Sequence, residues 1–473
     1  MPDAPPAAAP ATALIVLAAG KGTRMKSALP KPLHPVAGVP MVQRVLRAGM
    51  GAEPQMVAIV VSPETREIVP TLEAEVPVTT VVQDPQQGTG EAARLALEAL
   101  PDVDRAVVLL SDNPLLEAQH MRDLLRRATE TGALVTILTA QVQDAAHYGR
   151  IVRDAGGNPV AVVEKKDDDP ARRTGQDVEI NSGIMVLDAA WARRTLQRLP
   201  PNPVSGEYYL TDLIAAAVAA RPDPAAWPVA TVTAPITAAL GVNDRLELAR
   251  AEELAWARNR ERAMRAGVTL RLPETIVIDD DVEIGPDSVI LPHTMLLGRT
   301  RIGSGAVIGP GAVIQDSTLG DRVVVRNATL TDVDVGDGSD VGPYTHLRGG
   351  TRVAAGVHIG NFAEIKNSDL ATGVKVGHFS YLGDARLGAG TNVGAGTITA
   401  NFDGAHKHHT VIGERVFLGS DTILRAPVQL GDDARTGAGS VVTRDVAPGA
   451  TVVGVPARQI RSKPATAAHG EEG

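Results

Sequence analysis

From residue 284 onward the apolar positions of the chain fall on a beat of six: Ile284, Ile290, Leu296, Ile302, Ile308 and Ile314. The beat returns at Val335, Val341, Leu347, Val353, Ile359 and Ile365, and again at Ile412, Leu418, Leu424 and Leu430. Small residues stand four places after several members of the first run, at Ser288, Thr294, Thr300, Ala306 and Ala312. A period of six is neither the 3.6 of a helix nor the 2 of a simple strand, so it marks a repeat architecture. Three short strands per coil would aim one aliphatic residue inward from each face, and coils stacked about 4.8 Å apart would build a triangular prism. A β-sandwich would instead show turn residues every ~8–12 positions and alternating faces. The spacing therefore predicts a hexapeptide β-helix over residues 268–458. Its register slips once: Ile398 and Ile412 are fourteen residues apart where twelve would keep the beat, so ANFDGAHKHH is expected to leave the prism as a loop.

Residues 13–244 follow another pattern. ALIVLAAG reads as a buried strand entering a glycine loop, PMVQRVLRAGM as an amphipathic helix, and MVAIVVS and VPVTTVVQD as strands. TGEAARLALEAL is a helix and RAVVLLSD a further strand. Strands alternating with helices predict a mostly parallel, doubly wound, Rossmann-like sheet, with ligands at the carboxyl ends of its strands. Between the two regions, residues 245–267 hold a run rich in Glu, Arg, Ala and Leu and free of Gly and Pro up to Ala266. It is expected to form one helix about 33 Å long, a rigid spacer. Residues 1–12 and 459–473 are expected to be disordered tails.

Composition narrows the function. A chain of 473 residues exceeds the ~250–300 at which one core normally splits, which agrees with two large domains. Aromatic residues are only 3%, which suits a narrow β-helix interior. The balance of 46 basic against 55 acidic residues gives −9 and argues against a nucleic-acid or membrane-surface binder. The absence of cysteine excludes disulfides, thiolate metal sites and acyl-cysteine intermediates. With no apolar stretch of ~18 residues and no signal-like amino terminus, a soluble cytoplasmic protein is expected.

The chemistry of the first region centres on LAAGKGTRM, residues 17–25, with Gly20, Gly22, Lys21 and Arg24. Glycine-rich turns let backbone N–H groups approach a phosphate, although the same loop could be a tight turn with incidental bases. GxGxxG fails at Met25, and the P-loop pattern is absent. LPKP adds Lys31, QQGTG a second glycine turn, and VVLLSD ends a buried strand on Asp112. An Asp there suits Mg²⁺ or a helix N-cap.

LAAGKGTRM followed by LPKP resembles the sugar-phosphate nucleotidyltransferases. Joined to a long hexapeptide β-helix, the chain resembles the bifunctional N-acetylglucosamine-1-phosphate uridylyltransferases/glucosamine-1-phosphate N-acetyltransferases over about residues 13–458. The resemblance implies a left-handed β-helix and an enzyme that acetylates glucosamine-1-phosphate from acetyl-CoA. It then transfers UMP from UTP to the product, releasing pyrophosphate and supplying a bacterial cell-wall precursor. By resemblance Leu17, Ala18, Gly20, Gly22, Arg24 and Lys31 hold the nucleotide. Gln83, Gly88 and Thr89 read uracil, and Gly149, Glu164 and Asn181 hold the amino sugar. Asp112 and Asn243 bind Mg²⁺, Asn243 also belonging to the nucleotide site. Ser111 departs from the glycine that often precedes this aspartate, which bears on nucleotide affinity.

In the second region Arg348 and Lys366 are eighteen residues apart, one full coil, and each follows an inward aliphatic residue. They should stack on one edge, where an anion between them would relieve the repulsion; otherwise both splay into solvent. His378 lies two positions beyond Val376 and should point outward, as a base or as a solvated turn histidine. By resemblance His378 is the catalytic base and Glu364 the carboxylate that orients it. Tyr381, Asn392 and Lys407 join Arg348 and Lys366 around glucosamine-1-phosphate, while Ala395, Asn401, Phe402, Ser420 and Ala438 line the acetyl-CoA groove. Phe402 replaces a usual tyrosine, and Val455 stands where some members carry arginine, with Arg458 nearby. A homotrimer through the β-helix is implied, with small molecules and neither nucleic acid nor membrane as partners. Two other readings compete: a nucleotidyltransferase whose β-helix only regulates, and a trimerisation scaffold with a decayed head. Retention of Arg348, Lys366 and His378 counts against the first, and LAAGKGTRM, Lys31 and Asp112 against the second.

Overall fold

The computed structural model describes residues 11–462 apart from positions 204, 222 and 224, in two compact units that divide between Ala255 and Trp256. Of the expected tails, residues 1–10 and 463–473 lie outside the described residues. The remainder is structured: Thr12 opens the first strand, and Arg458–Ser462 pairs antiparallel with Ala450–Val453. The sequence pattern assigns both of these ends to the tails, and strand pairing overrides their polar, low-complexity surroundings.

In the first unit the strand Thr12–Leu17 is buried throughout. Ala13, Ile15 and Leu17 enter one core, Leu14 and Val16 the other, so a strand with no polar face is covered on both sides. Helices Thr89–Ala99, Ala189–Leu196 and Asp212–Ala220 contribute to the first core, Met41–Gly49 and Ala118–Thr131 to the second. Thr12–Leu17 sits between Arg105–Leu110 and Met56–Val61, parallel to both, and Thr79–Val82 pairs parallel beyond Met56–Val61. On the other side the long strand Thr174–Asp188 runs antiparallel between Arg105–Leu110 and Val135–Asp144. The carboxyl ends of Thr12–Leu17 and Arg105–Leu110 are therefore neighbours, bringing the glycine loop beside Asp112.

Among the described residues the second unit is built of three sheets of 12, 10 and 9 short strands, each strand pairing parallel with the one a coil further on except the antiparallel last strand of the first sheet. Ile290, Leu296, Ile308, Ile314, Leu347, Ile359 and Ile365 are fully buried, and Ile284 at the first coil is partly so. The small residues Ser288, Thr294, Thr300, Ala306 and Ala312 are also fully buried. The Thr294 and Thr300 hydroxyls donate at 2.7 Å to the carbonyls three residues back, satisfying the backbone where each corner turns. The register at the insertion differs from the sequence reading. Thr399, not Ile398, points inward and pairs with Leu424, while Ile398 is 40% exposed. The loop itself is present between strands Ile398–Ala400 and Thr410–Ile412.

The helix Arg245–Arg265 passes the boundary between units, and its second half caps the first coil of the second unit. Asn259 donates to the Ile278 carbonyl at 2.9 Å and buried Arg260 to the Ile276 carbonyl at 3.1 Å. These bonds close the first coil of the prism, which would otherwise expose its core. Among the described residues no helix is long and apolar enough to cross a membrane.

Candidate active sites

The turn at Gly22 explains how the two halves of the first motif meet. Gly22 has φ +59°, and a Cβ there would lie 2.6 Å from Lys31 Cβ. The lysine stem thus passes against the glycine, and its ammonium reaches the carboxylate of Asp112 in an ion pair. Lys31 Nζ also donates to Asn243 Oδ1 at 3.3 Å, and Arg24 Nη2 donates to the same oxygen at 2.9 Å. Asn243 is held in turn: its N–H donates to Glu247 at 2.7 Å, and Asp244 accepts from the Glu247 N–H at 2.9 Å. The Val242 N–H donates to the Asp112 carbonyl at 2.8 Å, fixing both oxygen donors on one frame.

Two cavities meet at Asp112. One, of about 410 Å³, is lined by Leu17, Gly20, Lys31, Gln83, Gly88 and Thr89 among others. The second, of about 240 Å³, is lined by Gly149, Glu164, Asn181 and Asn243, and shares Thr89, Leu110, Asp112 and Tyr209 with the first. The residues expected to hold nucleotide and amino sugar are thus brought together in two arms of one cleft. Ala18, Gly22 and Arg24 are not among the lining residues: the Ala18 methyl is in the core and its N–H donates to the Val60 carbonyl, while Arg24 reaches the cleft through its bond to Asn243. Ser111 is buried and lines the larger cavity.

A buried network positions the sugar arm. Asp168 accepts from Arg150 at 2.7 and 2.9 Å and from Arg173 at 3.2 Å. The bonded Arg150 guanidinium holds the Asp168 carboxyl below the usual carboxylate range, against burial. Arg173 donates onward to the Ala146 and Tyr148 carbonyls, at 3.1 and 2.7 Å, anchoring the turn that ends in Gly149. A Cβ on Gly149 would lie 2.7 Å from Val162, so the chain passes there without a side chain. Burial raises the Tyr148 phenol above its ordinary value, although it accepts a hydrogen bond from the Gly241 N–H.

Asp112 and Asn243 present two hard oxygens to a single ammonium, so both already face one cation position. Among the described residues no three His, Cys, Asp or Glu side chains form a metal cluster. A cation taking few protein oxygens and completing its shell with phosphate and water fits this donor set, and Mg²⁺ is such a cation.

In the second unit Arg348 and Lys366 are direct partners on adjacent coils. Lys407, carried on the inserted loop, joins them. Its ammonium beside Lys366, with Arg348 adding to it, holds the Lys366 amine below its ordinary value. Three cations therefore crowd one spot. The expected bond between Glu364 and His378 is not formed: Glu364 accepts from Arg348 Nη1 at 2.8 Å instead. Its strand neighbours on the outer face are His346 and Tyr381.

His378 is exposed at a corner of the prism, and among the described residues no hydrogen bond to its ring is formed. The following corners on the same edge carry Ala395, Ser420 and Ala438 in a stack. Gly396 donates to the Phe379 carbonyl at 2.7 Å, Asp421 to Ala395 at 2.7 Å, and Gly439 to Ser420 at 2.8 Å. A column of small residues thus continues from His378 along this edge. Asn392 lies on the face before this corner, paired with Lys375 and Phe417. Asn401 does not face the expected acetyl-CoA groove freely: it is buried and donates to Asp384 at 2.5 Å. Phe402 and Val455 are exposed, at 60% and 73%.

Sequence reasoning missed Asp384. It accepts from Asn367 and Asn401 while its own N–H donates to the Lys366 carbonyl. Burial opposes its ionisation, but these two hydrogen bonds and the nearby charges of Lys407 and His409 outweigh it and hold the carboxyl low. Asp384 thereby ties the inserted loop to the coil bearing Lys366. Gln86 and Tyr209 of the first cleft were also missed. Gln86 donates to the Ala19 carbonyl at 2.6 Å, and its place in the same turn as Gln83 was the available signal.

Residues 14–166 match the MobA-like NTP transferase domain, and residues 281–316 and 409–444 match the bacterial transferase hexapeptide (six repeats). Among curated proteins, the bifunctional protein GlmU of Alkalilimnicola ehrlichii is 43% identical over 92% of this chain and 92% of its own. That of Pseudomonas entomophila is 43% identical over 92% of this chain and 94% of its own. That of Streptococcus uberis is 39% identical over 93% and 94% respectively. The chain belongs to the family of GlmU bifunctional proteins, with a uridylyltransferase and an acetyltransferase of UDP-N-acetylglucosamine synthesis on one polypeptide.

Proposed function

We propose that the β-helix unit acetylates glucosamine-1-phosphate from acetyl-CoA, and that the first unit couples the product to UMP from UTP. The observation that carries the second step is the cleft whose two arms meet at Asp112, one sized for a nucleotide and one for a sugar. The phosphate of N-acetylglucosamine-1-phosphate attacks the α-phosphorus; the new P–O bond forms as the bond to the β-phosphate breaks and pyrophosphate leaves. A phosphate monoester has a second pKa near ~6, so the nucleophile is already anionic and needs no general base. Lys31 and Arg24 neutralise the triphosphate, and the loop backbone positions it. Asp112 and Asn243 would hold Mg²⁺, which supplies further charge neutralisation at the phosphates.

In the acetyl transfer, Arg348, Lys366 and Lys407 take the substrate phosphate. That anion competes with Glu364 for Arg348 and frees the carboxylate to act with His378. His378 accepts the proton of the glucosamine amine as nitrogen attacks the thioester carbonyl, and the proton leaves with the coenzyme A thiol. The pantetheine arm lies along Ala395, Ser420 and Ala438, where larger side chains would crowd it. A homotrimer and a cytoplasmic location belong to the same reading. On one face Glu283–Arg301, Asp334–Arg352 and Asp369–Arg386 pair across coils at 3.5–3.9 Å, a solvent-facing ladder. Another face exposes Met295 and Ile398, apolar side chains that self-association would cover.

The test assays the full-length protein in two separate mixtures, acetyl-CoA with glucosamine-1-phosphate, and UTP with N-acetylglucosamine-1-phosphate and Mg²⁺. Both should turn over. Failure of either mixture with folded protein would remove that half of the proposal.

A further inference from the structure

Gln83 is 3% exposed and lines the larger cavity of the first unit. Its Nε2 donates twice, to the Gly88 carbonyl at 2.9 Å and to Glu91 Oε2 at 2.9 Å. Both partners can only accept, so the chemistry fixes which end of the amide is nitrogen. Both amide hydrogens are thereby used. Among the described residues nothing donates to Gln83 Oε1, so the one group of the amide left for a ligand is an acceptor, on a residue that lines the cavity.

Each acceptor is itself held. A Cβ on Gly88 would lie 2.5 Å from the Tyr208 carbonyl and one on Gly90 3.0 Å from it, so the turn is locked beneath that segment. Glu91 stands in the first turn of the helix Thr89–Ala99, where a carboxylate is favoured. Its Oε2 also accepts from the Gln87 N–H at 3.1 Å, and its other oxygen lies 3.7 Å from Arg94. Its side chain is only 12% exposed. Nothing in the proposed reaction uses Glu91.

We infer that Glu91 is a specificity-positioning residue: it fixes the Gln83 amide so that only a hydrogen-bond acceptor meets the nucleobase. An acceptor there pairs with an imide N–H flanked by carbonyls, as in uracil. It opposes the unprotonated ring nitrogen of cytosine, lone pair against lone pair. Discrimination by a buried polar group comes from the partner left unpaired with the wrong ligand. The inference rests on the proposed reading of the base by Gln83.

Glu91→Gln tests it with almost no change of shape. The substitution replaces a carboxylate, which can only accept, by an amide that also carries a donor, so this partner no longer restricts the Gln83 amide to one orientation and only the Gly88 carbonyl still holds it. The measurement is kcat/KM for UTP and for CTP with N-acetylglucosamine-1-phosphate in the full-length enzyme, with acetyl transfer as the check on folding. The UTP/CTP ratio should fall by about tenfold or more, chiefly through the KM of UTP, with acetyl transfer unchanged. Glu91→Ala, which removes the clamp without offering a donor, should also lower the ratio, and serves if Glu91→Gln does not fold. An equal loss on both nucleotides, or no loss, would overturn the inference. Gln83→Ala separates the two layers. If it lowers the ratio while both Glu91 variants leave it intact, the positioning role fails and the base reading stands. If Gln83→Ala changes neither nucleotide, the base reading fails and the inference with it.

Discussion

Gly22 and Lys31, nine residues apart, occupy each other's space: a Cβ on Gly22 would lie 2.6 Å from the lysine's own Cβ. The glycine loop lets the lysine stem run beneath it, so that the ammonium lands on Asp112. Phosphate chemistry depends on where that charge stands.

Gly22→Ala should therefore damage uridylyl transfer although it removes no charged group. The left-handed backbone and the blocked stem together shift Lys31 Nζ, and a displacement of ~1 Å in an active site can cost about 10²-fold. Steady-state kcat/KM for UTP should fall by that order while acetyl transfer stays at wild type.

Asp112→Asn keeps the shape and removes the carboxylate charge. Mg²⁺-dependent uridylyl transfer should be lost, and acetylation should continue because its residues lie in the other unit. Direct titration with Mn²⁺ as a spectroscopic substitute should show weakened metal binding. Retained turnover in Asp112→Asn would mean that another group holds the metal.

The parts legible in the sequence were those encoded by a short-range rule. The six-residue beat places Ile290, Leu347 and Ile365 in the prism, because burying one aliphatic residue per face requires that spacing. It also puts Arg348 beside Lys366, since eighteen residues make a coil. The beat misled at Ile398, where a buried Thr399 keeps the register and an apolar residue faces out; hydrophobicity alone cannot tell which of two neighbours turns inward. Contacts that depend on three-dimensional closure were hidden. Gly88 is glycine because of Tyr208, 120 residues later, and Asp384 matters because Asn401 returns to it from a loop. The Arg348–Glu364 pair escaped because resemblance assigned Glu364 to His378, whereas neighbouring cations attract the nearest carboxylate.

That pair gives a kinetic split. Glu364→Gln removes the internal competitor for Arg348, so the KM for glucosamine-1-phosphate should stay level or fall while kcat for acetyl transfer falls. Arg348→Ala and Lys366→Ala should each raise KM by about 10- to 150-fold, the range of a charge-assisted hydrogen bond. Free glucosamine should be nearly indifferent to either change.

His378→Ala should reduce acetyl transfer by about 10²–10⁴-fold, the usual contribution of a positioned base. Because the ring is exposed, the melting temperature should move little. An unchanged acetylation rate would leave His378 as a solvated corner residue.

The pH dependence follows from Lys366. Its amine is held below the ordinary lysine value by Lys407, so it loses its proton at lower pH than a free lysine. Binding of glucosamine-1-phosphate should weaken as pH rises through that lowered value, since the clamp loses one charge. In Lys407→Met the loss should move to higher pH, because the neighbouring charge is gone. A KM–pH profile for both proteins checks the direction, and a shift to lower pH would contradict it.

The most direct test gives the protein glucosamine-1-phosphate, acetyl-CoA, UTP and Mg²⁺ together and follows the sugar by mass. Wild type should yield UDP-N-acetylglucosamine, with pyrophosphate and coenzyme A released in equal amounts. Asp112→Asn should stop at N-acetylglucosamine-1-phosphate, and His378→Ala should leave nearly all the starting sugar phosphate unconverted. Formation of the nucleotide sugar by His378→Ala at the wild-type rate, or its absence with the wild type, would contradict the two-site account.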